Sequence, residues 1–159
     1  MKYSIYTDGS AIGQNKKYDW NSSPVKGGWA FVIVDENDNI ITRGSGGEID
    51  TTNNRMELNA ILMALKTAYS FDKEAEYTVY SDSSYCVTII NEYCYKWEQN
   101  KWKKKNGSIK NLDLIKPVFK AKDYLNYTME WVKGHSDNKY NNLVDELAVE
   151  EAKNAKLVQ

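Results

Sequence analysis

A mixed α/β domain, a sheet with helices on its faces, is what this chain of 159 residues predicts. Two observations lead there. Up to residue 50, apolar residues alternate or run in short blocks, which is the spacing of strands; from residue 53 they recur every three or four positions, which is the spacing of a helix. Strand-like runs then return twice, each bracketed by helical stretches, so strands and helices belong to one folding unit.

Three strands come first. "KYSIYTD" (2–8) alternates, with Tyr3, Ile5 and Thr7 on one face and Ser4, Tyr6 and Asp8 on the other. "GGWAFVIVD" (27–35) is apolar almost throughout and reads as a strand buried on both sides, and "NIITRGSGG" (39–47) is a weaker third. The turn cluster "DENDN" between the last two predicts an antiparallel hairpin. "NNRMELNAILMALKTAY" (53–69) is helical, with Thr51 or Thr52 as cap. A strand over 75–81 follows, then a helix over 83–97. "NLDLIKPVFKAKDYL" (111–125) reads as a helix that kinks or starts late at Pro117. "YTMEWV" (127–132) is the last strand, "KGHSDNKYN" a loop, and 142–155 the last helix. The polar stretch 11–26 has no assignable conformation. No repeat or linker divides the chain, so one domain over 1–159 is expected, acting as a monomer.

Composition narrows the class. The chain is 42% hydrophobic and 27% charged, with a mean hydropathy of −0.67. The N-terminus enters a strand pattern directly, with no apolar leader, so a cytoplasmic location is expected. Cys86 and Cys94 lie eight residues apart on one predicted helix, about 12 Å along its axis, too far for a disulfide. The net charge of −1 excludes a globally basic nucleic-acid binder. One segment stands out: "KWEQNKWKKKNGSIK" (96–110) has six lysines against one acid, a local patch for a polyanion or a solvated helix end.

The carboxylates carry the functional signal. "YTDGS" and "YSDSS" each put an aspartate, Asp8 and Asp82, at the end of a strand with serines behind it. On the first long helix Glu57 sits in mid-stripe, with Ile61, Ala64, Leu65 and Ala68 within about 80° of it. On the last helix Asp145 shares its stripe with Ala148, Val149 and Ala152, all within about 60°. Each acid alone could be a helix-end or salt-bridging carboxylate. Adjacent strands, however, would bring Asp8 and Asp82 to the same sheet edge, and four acids meeting there repel unless a cation joins them. Hard oxygen donors without cysteine or clustered histidine point to Mg²⁺ or Mn²⁺ rather than zinc. His135, the only histidine, follows a glycine in a polar loop beside these acids and suits a mobile proton carrier.

The chain resembles ribonuclease H type 1, the enzymes that cut the RNA strand of RNA–DNA hybrids. The resemblance rests on "TDGS" at Thr7, "TTNNRMEL" at 51–58, "SDSSY" at Ser81, "WVKGH" at Trp131 and "DELA" at Asp145, in the family's order over nearly the whole chain. It implies an RNase H-like fold, a five-stranded mixed β-sheet of order 3-2-1-4-5 flanked by α-helices. It implies Asp8, Glu57, Asp82 and Asp145 as ligands of two Mg²⁺ ions, with Mn²⁺ a possible substitute, and His135 as an aid to proton transfer or product release. Contacts to the hybrid are implied for Gly9, Ser10, Thr52, Asn53, Asn54, Ser84 and Asn141. The basic segment around 95–110, with Tyr93, Trp97, Trp102 and Lys103, resembles the handle by which bacterial members hold the hybrid. The implied reaction is endonucleolytic hydrolysis giving 5′-phosphate and 3′-hydroxyl ends. The sequence departs from the family's usual pattern in its long polar first loop, in Ser84 where glutamine is common, and in Glu98 and Gln99 where lysines are common. Another nuclease on the same sheet, or a hybrid-binding module without catalysis, are the competing readings.

Overall fold

The computed structural model describes residues 1–13, 25–104, 107–134 and 137–156. His135 and most of the loop 11–26 lie outside the described residues.

The sheet has five strands: β1 (Lys2–Ile12), β2 (Lys26–Val34), β3 (Ile40–Ile49), β4 (Glu76–Ser81) and β5 (Asn126–Trp131), in spatial order β3-β2-β1-β4-β5. β1–β2 and β2–β3 pair antiparallel; β1–β4 and β4–β5 pair parallel. Helices α1 (Asn53–Asp72), α2 (Ser84–Thr88), α3 (Cys94–Gln99), α4 (Leu112–Lys120) and α5 (Lys139–Asn154) complete the fold. The expected order and mixed pairing are both present.

Alternation along the strands builds two cores. Tyr3 and Ile5 of β1 and Phe31 and Ile33 of β2 join Leu58, Ile61 and Leu65 of α1 on one face. Ala30, Val32 and Val34 point the other way, onto Tyr140, Val144 and Ala148 of α5. β2 is therefore covered on both sides, which is why its sequence is apolar without alternation. Each fully buried Ile, Leu or Val contributes roughly 1.5–3 kcal/mol.

The chain's polar residues set the element ends. The Thr52 side chain accepts the Arg55 N–H and starts α1; the Tyr77 hydroxyl donates to the carbonyls of Ala68 and Asp72 at its far end. Asn138 accepts the N–H groups of Tyr140 and Asn141, so α5 begins at Lys139 rather than at 142. α4 begins at Leu112, and Pro117 lies inside it without delaying its start.

Two further expectations are corrected. The stretch 83–97 is not one helix: a π-helical turn, Ile89–Tyr93, separates α2 from α3. The widened turn keeps Ile89, Ile90 and Cys94 buried while Asn91 donates its side-chain amide to the Met129 carbonyl of β5. Cys86 and Cys94 are free and buried, and burial pushes both thiols up to about 12, so neither is reactive. In addition, β1 does not stop at Asp8 but continues to Ile12 alongside β2.

Candidate active site

The site arises where the sheet divides. The β1–β4 ladder ends at the pair Thr7–Ser81, so the next residues, Asp8 and Asp82, stand side by side. Beyond them β1 stays with β2, whereas β4 turns into α2, whose first turn is capped by the Ser83 hydroxyl. The gap lies at the carboxyl end of β4, beside Asp8 midway along β1, the side on which ligands of α/β sheets bind.

α1 supplies the third acid. Gly9 lies directly against this helix: a Cβ there would fall 2.2 Å from the Glu57 amide nitrogen and 2.4 Å from the Met56 carbonyl carbon. Only glycine allows that approach, and it brings Glu57 beside Asp8. Carboxylate oxygens of Asp8, Glu57 and Asp82 lie within 4.8 Å of one another. Asp8 is 3% exposed and Glu57 8%. Asp145 joins them in lining an open cleft of about 420 Å³, together with Gly9, Ser10, Asn53, Asn54 and Ser84. It is half-buried, not buried, and because α5 starts at Lys139 it lies two turns in, where the helix dipole adds little.

Burial and mutual repulsion govern the titration of this cluster. Burial, first, and the charges of Asp82 and Asp145 push Asp8 up to about 8, against a hydrogen bond from Glu57 that lowers it. Burial and the neighbouring Asp8 and Asp82 push Glu57 well above the usual carboxylate range, partly offset by the Gly9 N–H. Both carboxyls therefore hold their protons to a higher pH than a free acid does. Glu57 Oε2 is buried and makes no hydrogen bond. A buried carboxylate oxygen without a donor, among hard oxygen ligands that repel one another, fits a divalent cation such as Mg²⁺.

The remaining residues divide by their contacts. The Asn53 Oδ1 accepts the Ala11 N–H at 2.6 Å, tying the extension of β1 to α1. Thr52 uses its hydroxyl as the α1 cap. Asn141 is 1% exposed, with an unbonded Oδ1, one turn before Asp145. Trp97 stacks on Tyr93 at 5.7 Å and lines a second hollow of about 590 Å³ with Ser84, Tyr85, Ile89 and Lys104. Trp102 packs edge-on against Phe119 at 5.8 Å with Lys116 over its ring, and Lys103 is exposed. A larger hollow of about 670 Å³ is lined by Asp38, Tyr140 and Glu146; among the described residues no group of three acids meets there, and Lys139 bonds to Asp38 at 3.2 Å and the Tyr140 hydroxyl to the Asp38 carbonyl at 2.7 Å.

Sequence reading missed the link between the two clefts. Arg55 donates to both carboxylate oxygens of Asp113, at 3.0 and 2.7 Å, and to Asn111 Oδ1 at 3.3 Å. Asn111, in a left-handed conformation, donates to the Tyr85 hydroxyl, and Tyr85 lines both clefts. The end of the basic segment is thereby fastened to the start of α1. Lysine cannot form this fork. Arg55→Lys should lower the melting temperature by only about 2–4 °C, as an exposed pair is worth up to ~1 kcal/mol. Melting curves check this.

The family profile of RNase H matches residues 1–153. A ribonuclease H of Caldanaerobacter subterraneus subsp. tengcongensis is 40% identical over 151 residues, covering 94% of this chain and 90% of that one. A crystal structure of LC9-RNase H1, described as a type 1 RNase H with the type 2 active-site motif, superposes with a TM-score of 0.79 at 25% identity, over 98% of this chain and 74% of that one. The foamy viral protease-reverse transcriptase solved in complex with RNA/DNA hybrid shares the fold, with a TM-score of 0.81 at 21% identity over 96% of this chain and 20% of that one. The order of the sheet, the acids at its split edge and a match that spans the chain make this protein a member of the RNase H family.

Proposed function

We propose that this protein is an endoribonuclease that hydrolyses the RNA strand of RNA–DNA hybrids. The observation that carries this is the convergence of Asp8, Glu57 and Asp82 within 4.8 Å, with Asp145 beside them, in a chain of the RNase H family. The viral relative of like fold, solved with a hybrid bound, supports the substrate class.

In this reading Asp8, Glu57, Asp82 and Asp145 hold two Mg²⁺ ions, with Mn²⁺ a substitute. When bound, the ions supply an activated water and stabilise the leaving 3′ oxygen. Because Asp8 and Glu57 hold their protons more tightly than free carboxyls, a cation would compete with protons for them, and metal affinity should rise with pH. Glu57 and the backbone nearby meet the ribose 2′-hydroxyl, the group that separates RNA from DNA. Gly9, Ser10, Thr52, Asn53, Asn54, Ser84 and Asn141 orient the hybrid. The DNA strand follows the hollow at Tyr93 and Trp97 toward Trp102 and Lys103 of the basic segment, so binding weakens with salt. His135 carries a proton without being essential: His135→Ala should lower kcat about 100-fold, in steady-state assays, and leave metal binding unchanged.

Mapping the ends of fragments from a hybrid with labelled RNA tests the chemistry. Internal cuts bearing 5′-phosphates and 3′-hydroxyls are expected. Fragments ending in 2′,3′-cyclic phosphates would mean that the ribose 2′-oxygen, not water, attacks, and would overturn this reading.

A further inference from the structure

Asp8 and Glu57 are held by burial, whereas Asp82 stands at the half-buried rim of the site. The residues around it define how it is held. β4 ends at Ser81, whose carbonyl accepts the Val132 N–H at 2.9 Å as the last rung toward β5. The next carbonyl, that of Asp82 itself, accepts the indole Nε1–H of Trp131 at 3.2 Å. Trp131 is 55% exposed, so filling the core does not explain a tryptophan here. The Ser81 hydroxyl accepts the Ser83 N–H at 3.1 Å, fixing the peptide on the other side. Gly134 faces the carboxylate: a Cβ there would sit 3.0 Å from Asp82 Oδ2. The segment 131–134 thus reaches Asp82 twice, at its backbone through an indole donor and at its side chain through a glycine.

We propose that Trp131 is a positioning residue for Asp82. Its indole N–H holds the peptide that aims this carboxylate into the metal site, and Gly134 leaves the room in which the carboxylate turns. The proposal rests on the metal-site reading above. Groups that orient ligands without touching the metal commonly change metal affinity by about 10- to 100-fold when removed. A single hydrogen bond at a half-exposed edge belongs at or below the low end of that range.

The test is Mn²⁺ binding in the absence of nucleic acid, followed by the electron paramagnetic resonance signal of the free ion. Trp131→Phe keeps the ring and removes the donor. It should raise the Mn²⁺ dissociation constant about three- to tenfold with melting unchanged within about 2 °C, and lower kcat more than it changes KM. Gly134→Ala, which crowds the same carboxylate from the other side, should also weaken Mn²⁺ binding. Wild-type affinity in Trp131→Phe, with a raised KM alone, would overturn the proposal and make the indole a platform for nucleic acid. Failure of the wild type to bind Mn²⁺ would instead remove the metal-site reading, and the proposal with it.

Discussion

Asp8→Asn should abolish turnover, by about a thousandfold or more, and yet raise the melting temperature of the metal-free protein. Both effects have one cause. Asp8 is buried beside Glu57, Asp82 and Asp145, and its carboxyl is pushed from 3.8 to about 8. A group whose folded pKa is raised favours the folded state most below its unfolded pKa, and that contribution is lost as pH rises through the folded value. Metal-free wild type should therefore lose stability between about pH 4 and pH 8. Asparagine keeps the shape, can still accept from Glu57 through its Oδ1, and removes the charge that opposes folding. Above pH 8 without metal the variant should melt roughly 3–8 °C higher than wild type, a gap that narrows below pH 5 and again when Mg²⁺ neutralises the cluster. Scanning calorimetry with chelator and with Mg²⁺ reads this directly. A metal-free variant that melts well below wild type contradicts the electrostatic account.

Gly9→Ala should damage both fold and site. The added carbon would lie 2.2 Å from the Glu57 nitrogen, 2.4 Å from the Met56 carbonyl carbon and 2.8 Å from the Glu57 Cα. These are backbone atoms of a twenty-residue helix, so no side chain can swing aside; α1 must move away from β1. Overpacking of this kind costs about 3 kcal/mol, or roughly 6–12 °C in melting temperature. The displacement separates Glu57 from Asp8, and an error of about 1 Å at a reacting centre can cost 100-fold in rate. Equilibrium unfolding and steady-state kinetics on a Gly9→Ala protein check the two losses together. Wild-type activity in that variant would mean that the β1–α1 contact does not set the geometry of the acids.

The sequence held most of this site because each acid broke a local rule that its own element revealed. Glu57 interrupts an apolar stripe visible from Ile61, Ala64 and Leu65, and Asp8 and Asp82 follow strand-period runs; both readings need only neighbouring residues. Periodicity puts Asp145 on the buried stripe of the last helix, but it lies at the stripe's edge, where Val144 and Ala148 take the core. What was not legible depends on distant parts of the chain. β1 continues past Asp8 through residues with little strand preference of their own, because Trp29, Gly28 and Gly27 of β2 pair with Gly9, Ser10 and Ala11. The π turn at Ile89–Tyr93 follows from Ile89, Ile90 and Cys94 meeting a shared core, while periodicity alone read a continuous helix. The Arg55–Asp113 fork and the Trp131 indole bond join residues 58 and 49 positions apart, and no local pattern announces either.

The acid cluster should cut RNA only when it is paired with DNA. Wild type and Asp8→Asn, incubated with Mg²⁺ on a labelled RNA–DNA hybrid beside RNA–RNA, DNA–DNA and single-stranded RNA of the same sequence, decide this. Internal cleavage confined to the RNA of the hybrid, and lost in the variant, is the predicted result. Cleavage of duplex DNA at a comparable rate, or hybrid bound but left intact in both Mg²⁺ and Mn²⁺, would contradict it.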